Sequence, residues 1–467
     1  MIHFERLSRK EKTKLLRSIA AEDPGLDIVH PKAAGIDVGN SAHYVAVSPK
    51  LDQEPVRKFG CFTQDLQRLA EWLVSRGIET VAMQSTGVYW IPLYDVLEEY
   101  GIQVFLVNAR HTRNLPGRKT DVQESQWLLK LHTYGLLNNS FRPPSQILTM
   151  RTYWRLRAQH VAEVSTTIQR MQKVLTEMNL QLSNVISDIS GVSGMAILRA
   201  IVSGERDAQR LAALCDPRIR ASHEQIAKSL EGNWRAELVF VLAQQLRNYD
   251  HYLEQIRLCD QRLEAHIATL PTRTDPVSTQ AEPSPAKQRA KRSKPKGHVP
   301  QFQLAAHLNR IAGIDLTLID GIDVMTAQTI ASETGFDMSS WKTEGHFASW
   351  LGLCPDNRIS GGRVLAKGTR HVVNPVATAL RMAASTLLKS QSYLGSQYRR
   401  LRTRLGAPKA ITAMAHRLAR LVYRMLKYGR GYVDKGADFY EQKYREQQIL
   451  ILKKKAAALG LQLMATP

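Results

Sequence analysis

Acidic residues and cysteine are scarce in this chain of 467 residues, and long apolar runs are absent. Asp and Glu number 42 against 64 Lys and Arg, which leaves a formal net charge of +22. That deficit of negative charge favours polyanionic partners and says nothing about the fold. Cys61, Cys215, Cys259 and Cys354 lie far apart, with no C-x-x-C pair. This excludes a zinc site or a disulfide framework and fits a reducing cytosol. No apolar run approaches the ~18 residues that would span a bilayer, so no membrane partner is expected. The charged stretch Met1 to Lys14 lacks the apolar core of a signal peptide. Gly117-Arg118-Lys119-Thr120 ends like a phosphate-binding loop but lacks its first glycine, which argues against ATP binding.

What is present starts with Asp37, inside the apolar stretch Ala33-Ala34-Gly35-Ile36-Asp37-Val38-Gly39. Alternation puts Ile36 and Val38 on one face of a strand and Gly35, Asp37 and Gly39 on the other. Strands disfavour Asp, and a lone buried carboxylate needs a partner or a metal. The second face reads as bare apart from that acid, with room for a metal ion and a phosphate. Asn40-Ser41 signals a turn into a returning strand, Tyr44 to Val47. Val56 to Phe62 is a third strand. Thr63 is the expected N-cap of a helix with Leu66, Leu69, Trp72 and Leu73 on its apolar stripe. Strands at Thr80–Met83 and Gln103–Val107 flank a helix from Val88 to Tyr100. A basic loop then leads to a helix over Asp121 to Tyr134. The order βββαβαβα is that of the RNase H-like fold.

Asp121 and Glu124 are three residues apart and share one helix face. They serve equally as first-turn acids behind a capping box of Thr120 and Gln123. Asp37 favours the metal-binding reading, because no helix-dipole argument reaches a strand. Gln84 closes the fourth strand, where an amide oxygen is a weak ligand or an orienting group.

Hydrophobic content of 43% suffices for real cores, and the length suggests roughly three domains of ~150 residues. From Val161 through Val164, Ile168, Met171, Leu175, Met178, Leu182, Val185 and Ile189, apolar residues alternate at three and four. Trp154 precedes them. This is a coiled-coil signal. A second helix carries Leu242, Leu246, Tyr249, Leu253, Ile256, Leu263, Ile267 and Leu270, with Asp260 interrupting the seam. The two fit a hairpin within one chain or pairing between subunits; the length of the seam favours the second. Residues 271–300 form a proline-interrupted basic linker without aromatics beyond the last helix.

The last third opens with Leu318-Ile319-Asp320-Gly321-Ile322-Asp323, which reads as a helix-hairpin-helix turn able to hold a phosphate at Gly321, or as plain packing of two short helices. An irregular segment from Cys354 to Val373 centres on Ser360-Gly361-Gly362, with Arg363, Lys367, Arg370 and His371 around it. Asn374-Pro375 starts a helix. A final long helix from Pro408 presents Arg417, Arg420, Arg424 and Lys427 as a basic face ending at Gly429.

Gly35-Ile36-Asp37-Val38, Gln84-Ser85-Thr86-Gly87-Val88-Tyr89-Trp90, Val107-Asn108-Ala109-Arg110, Gly117 to Asp121, and Ser360-Gly361-Gly362 through Gly368 resemble, in this order, the DEDD transposases of bacterial insertion sequences, the bridge-RNA-guided recombinases. The resemblance covers most of the chain. It implies an α/β domain of RuvC-like (RNase H) fold over residues 31–147 after an N-terminal helical extension, 1–30. A coiled-coil region for dimerisation follows over 148–270, then the linker. A mainly helical transposase domain, 301–430, and a helical tail, 431–467, complete it. The family's acids fall on Asp37, Asp121 and Glu124, with Gln84 in place of the second, and its nucleophilic serine falls on Ser360. The resemblance implies Mg²⁺ or Mn²⁺ as cofactor. It implies donor and target DNA, a noncoding bridge RNA and a second copy of the chain as partners. Dimers that become tetramers on DNA, in the cytoplasm of a bacterium and on its nucleoid, follow from the same source. Arg110, Arg113, Arg118, Lys119, Gly321, Arg363, Lys367, Arg370, Arg417, Arg420 and Arg424 are the expected nucleic-acid contacts. A junction-resolving nuclease that uses only the carboxylates, and a catalytically inactive nucleic-acid-binding protein, are the two alternatives.

Overall fold

The computed structural model describes residues 25–85, 87–108, 120–273, 299–366, 368–370, 372–429, 432 and 435–462. Most of the expected N-terminal extension and linker, and Arg110, Arg113, Arg118, Lys119, Lys367 and His371, lie outside them. The chain divides into two compact units, Met1–Arg142 and Pro143–Pro467. The first is mixed α/β and the second mostly helical.

In the first unit, strands β1 (Ala33–Val38), β2 (Ala42–Val47), β3 (Val56–Gly60), β4 (Thr80–Gln84) and β5 (Gln103–Val107) form one sheet in the order β3-β2-β1-β4-β5. β1 to β3 are antiparallel neighbours; β4 and β5 run parallel to β1. Ile36, Val38, Val45, Val81, Met83 and Leu106 bury one face of the sheet. Helices α1 (Thr63–Ser75) and α2 (Trp90–Glu99) cover it through Leu66, Leu69, Leu73, Leu93 and Leu97. On the opposite face, Ala82 and Val107 meet Leu128 and Leu131 of α3 (Asp121–Thr133). The N-cap of α1 is Phe62, one residue before the expected Thr63. The Asp65 carboxylate accepts its backbone N–H at 3.3 Å, so the helix is anchored by an acid inside its first turn.

The face expected to stand bare around Asp37 is partly filled. A Cβ on Gly35 would collide with the Leu129 amide and the Ser125 carbonyl, so this glycine exists to let α3 lie directly on the strand. Gly39 is likewise closed off by the Ala42 carbonyl of the β1–β2 turn. The glycines make room for backbone there, and Asp37 itself is half-buried.

In the second unit, α4 (Ser145–Glu177) and α8 (Ala236–Thr269) pair along their length. His266 Nε2 lies 2.7 Å from the Gln146 carbonyl oxygen, Arg157 bonds Asp260, and the rings of His160 and Tyr252 are 6.0 Å apart. Numbers rising on one helix fall on the other, so the pair is antiparallel within one chain. Arg157 Nε donates to Asp260 Oδ1 at 2.5 Å, and both side chains are buried. Asp260 therefore interrupts the seam as half of an ion pair that fixes register.

The seam expected to run to Ile189 stops earlier. Asn179 adopts φ 57°, the Leu180 N–H bonds the Leu175 carbonyl at 2.8 Å, and the Asn179 N–H bonds that of Thr176 at 2.9 Å. This is a Schellman ending with asparagine in the left-handed position. Leu182, Ile186 and Ile189 turn away to pack with α5 (Val192–Val202), α6 (Ala208–Ala212) and α7 (His223–Ser229) in a core that also takes in Met171 and Leu175 of α4 and Leu242 and Leu246 of α8. Val164, Met171 and Leu175, expected at or near a seam open to another subunit, are buried within their own chain.

The remaining elements are α9 (Leu304–Ala312), α10 (Val324–Thr334), α11 (Glu344–Trp350), β6 (Arg358–Ser360), β7 (Arg363–Ala366), α12 (Pro375–Thr386), α13 (Tyr393–Leu405), α14 (Ala407–Tyr428) and α15 (Gly436–Ala458). Phe347, Leu380, Leu418 and Tyr423 are buried among the helices. Arg155 and Arg151 pair with the buried Glu333, tying α4 to α10. Asp323 caps α10, accepting from the Thr326 N–H at 2.8 Å. Gly321, expected to hold a phosphate, has φ +88°, and a Cβ there would press on the Ala383 carbonyl of α12. Packing of helices accounts for that glycine. The segment expected to be irregular around Ser360 is a hairpin. Gly361 and Gly362 have φ +54° and +73°, the pair of left-handed residues that a type I′ turn demands.

Candidate active site and nucleic-acid interface

The carboxylates of the first unit are placed by one sheet and one helix. β1 and β4 are parallel, with Ile36 opposite Met83. Continuing that register sets Gln84 beside Asp37, both at the carboxyl ends of their strands. Two contacts fix the direction of α3. The Thr133 carbonyl accepts N–H bonds from Val29 and His30, just before β1, and His132 Nε2 sits 2.9 Å from Thr80 Oγ1 at the start of β4. The C-terminus of α3 therefore lies at the beginning of these strands, and its N-terminus at their carboxyl ends.

Distance along the axes agrees. Gly35 lies beneath Ser125 and Leu129. Asp37 is two residues further along β1, about 7 Å, and Glu124 and Asp121 are about 4 and 9 Å back along α3 from that crossing. Leu128 and Leu131 are the buried stripe of α3 against the sheet. Glu124 and Asp121 continue the same stripe past the sheet edge. Glu124 is half-buried and Asp121 exposed. Thr120 Oγ1 accepts the Gln123 N–H at 3.2 Å, so the capping role weighed from sequence is real and coexists with this placement. Asp37, Gln84, Asp121 and Glu124 thus lie toward the carboxyl ends of these strands without forming a tight cluster. Among the described residues, no three His, Cys, Asp or Glu side chains stand close enough together to hold a metal ion.

Ser360 ends β6 and pairs in register with Arg363 of β7. Both are exposed, as are Ile359, Val364 and Leu365. Arg370 was expected beside the serine and is not there. Pro355 bridges Thr369 at the foot of the hairpin, and Arg370 donates to the Ser349 carbonyl. Five to six residues of extended chain put Arg370 roughly 15–20 Å from Ser360. Of Arg363 and Arg370, the two described residues among the cations expected around it, Arg363 is the one that stands next to Ser360.

The basic face of α14 is subdivided. Arg417 is half-buried with its guanidinium 5.6 Å from the Tyr393 ring. Arg420 Nε and Arg424 Nη2 both donate to Glu344 Oε1, at 2.7 and 2.8 Å. Burial works to raise the Glu344 carboxyl, and the bonds from Arg424 and Arg420 outweigh it, so the net shift is downward. Glu344 was missed from sequence because an acid after Thr343, which caps α11, looks like an ordinary first-turn residue.

Residues 34–180 match the family model of DEDD transposases of the IS110 type, described as a transposase. Residues 300–399 match the model described as Transposase IS116/IS110/IS902 family. No curated protein matches the chain at a significant level. The family implies cutting and rejoining of DNA with a divalent metal ion. Among the described residues no helix is long and apolar enough to cross a membrane. With both models matching in the order of the chain and together spanning more than half of it, the chain belongs to the IS110 family of insertion-sequence transposases.

Proposed function

We propose that the chain breaks and rejoins DNA through a RuvC-like carboxylate station and a serine nucleophile, Ser360, with an element-encoded bridge RNA selecting donor and target. The observation that supports this reading is that Asp37 and Gln84 end adjacent parallel strands of a sheet ordered β3-β2-β1-β4-β5, and that the N-terminus of α3, with Asp121 and Glu124, lies toward the same ends. That order, with α3 on one face, supports an RNase H-like arrangement. The exposed serine on its turn and the excess of 22 positive charges support the rest.

The donor set at the sheet edge is all oxygen, which suits a hard cation, Mg²⁺ or Mn²⁺. Asp37, Asp121 and Glu124 would hold it after drawing closer than they stand in this structure, with Gln84 as a neutral neighbour. When bound, it supplies Lewis-acid polarisation of phosphate oxygens. Ser360 Oγ attacks the phosphorus of a phosphodiester and displaces the 3′ oxygen, which leaves as a hydroxyl. The resulting phosphoserine ester retains the bond energy, so reversal by another 3′-hydroxyl rejoins strands without ATP. Arg363, opposite Ser360 in register, contributes positive charge where negative charge develops. A homodimer, assembled into a tetramer on paired DNA sites, lets serine and carboxylates come from different copies.

The test is a covalent adduct. Incubated with DNA and its bridge RNA, the protein should yield a protein–DNA conjugate that survives denaturation and disappears in Ser360→Ala. Nicking without an adduct, unchanged by Ser360→Ala, would replace this reading with a hydrolytic nuclease.

A further inference from the structure

Below the serine hairpin, α11 and α14 meet around one carboxylate. Glu344 opens α11, and Arg420 and Arg424 stand one turn apart on α14. Both guanidiniums bond the same Glu344 oxygen. Arg370, at the hairpin's foot, donates to the Ser349 carbonyl of α11. Cys354 and His416 complete the surroundings. Cys354 feels the charges of Arg370 and Arg420, though burial prevails and raises its thiol. Burial first, and then Arg420, push His416 down from its ordinary value, with Glu344 opposing, so the imidazole is neutral near pH 7. Two guanidiniums against one carboxylate leave a local excess of one positive charge.

The order of exposure decides what the carboxylate does. A side chain plugging an anion site would lie outermost. Glu344 is 18% exposed, whereas Arg420 and Arg424 are 44% and 55% exposed. The acid lies beneath and the two forks lie above it. A guanidinium has five N–H donors, and the Glu344 carboxylate takes two from each arginine, which leaves six of the ten for another acceptor. The shared acid also offsets the repulsion between two adjacent cations. Given that the chain acts on DNA, we propose that Glu344 is a positioning residue that holds Arg420 and Arg424 side by side as a clamp for a DNA phosphodiester at the foot of the Ser360 hairpin.

Binding of a labelled DNA duplex of generic sequence, followed across a salt series, tests this. Removing an acid that is a bystander makes a protein more positive and tightens DNA binding. Glu344→Gln should instead weaken it, by roughly three- to tenfold, because the forks lose their alignment. Arg420→Gln should weaken binding similarly and lower the slope of log affinity against log salt by about one. Arg420→Lys, which keeps the charge and loses the fork, should recover less than half of that loss. Tighter or unchanged binding by Glu344→Gln overturns the proposal. If that variant melts early, the Arg420→Lys and Arg424→Lys pair decides: wild-type affinity in both overturns it. A wild-type protein that binds no DNA would refute the functional reading itself, a result distinct from either.

Discussion

The carboxylate edge of the first unit and the serine ribbon of the second are built to opposite mechanical standards. Asp37 belongs to the third of five strands in order, with Leu69 and Leu93 fully buried on one side of the sheet and Leu128 on the other. Ser360 belongs to a ribbon of two strands on which Ile359 and Leu365 are 63% and 69% exposed. A two-stranded hairpin is marginal by itself, whereas a sheet covered on both faces holds its residues to a fraction of an ångström. On the proposed mechanism, the contrast suits a division of labour in which the acids keep a fixed frame and Ser360 conforms to the nucleic acid it meets.

The largest effect that would sharpen this contrast is chemical. Asp37→Asn removes one charge from the fixed frame without changing shape. Strand cleavage should fall by at least about a hundredfold, while the melting temperature stays within a degree or two of wild type. Gln84→Ala should cost less, since it removes no charge. Cleavage by Asp37→Asn at the wild-type rate would remove the sheet edge from the chemistry.

A second prediction attacks the frame itself. Gly35→Val drives a branched side chain into the Leu129 amide and the Ser125 carbonyl of α3. The strand and helix cannot both keep their places, and the loss should reach about 3 kcal/mol or more by denaturant unfolding. A variant that unfolds like wild type would mean that α3 lies looser on the sheet than its contacts imply.

The first unit was the more legible because both its periodicities are strong. Alternation identified Ile36 and Val38 as core, and turn residues marked the β1–β2 hairpin. Gly35 was misread as open space, since a missing side chain looks the same whether a ligand or a helix backbone fills the gap. In the second unit, heptad spacing announced long helices but not their end, because apolar residues at three and four continue past Asn179. The left-handed asparagine was the signal. Seam spacing likewise cannot distinguish a partner helix in the same chain from one in another. Asp260 stood out as a polar seam residue, and Arg157, three positions after Trp154, was its unseen complement. The Ser360 ribbon was hidden by its shortness, although Gly361-Gly362 carried the type I′ signature. Glu344 with Arg420 and Arg424 was beyond reach, since nothing local links residues some eighty positions apart.

Acid provides a milder probe of the same frame. Burial, and then the neighbouring His30, lower His132 from 6.5 to about 3. Between those values the unfolded chain binds a proton that the folded one refuses. Stability from this group is therefore complete above about pH 6.5 and falls as pH drops. The slope is up to about 1.4 kcal/mol per unit, or about 2 kcal/mol lost by pH 5. Urea unfolding of the first unit followed across that range checks it, and His132→Leu should flatten the dependence. A ring titrating near 6.5 by NMR would show water reaching the α3–sheet interface and would erase the contrast with the ribbon.

The smallest effect on stability, and the most selective, belongs to the ribbon's turn. A Cβ on Gly361 or Gly362 meets nothing within 4 Å, so any penalty there is backbone strain alone. Left-handed backbone costs a non-glycine residue about 1–2 kcal/mol, and asparagine least among them. Gly361→Asn reproduces the Asn-Gly pair favoured in type I′ turns and should leave both melting and cleavage unchanged. Gly361→Val should leave global melting within about a degree, since the described ribbon side chains are exposed, yet reduce cleavage about five- to tenfold by splaying Ser360 away from Arg363. Equal cleavage by the two variants would mean that the turn does not aim the serine. Equal loss of melting temperature in both would mean that the ribbon is as much a part of the rigid frame as the strand that carries Asp37.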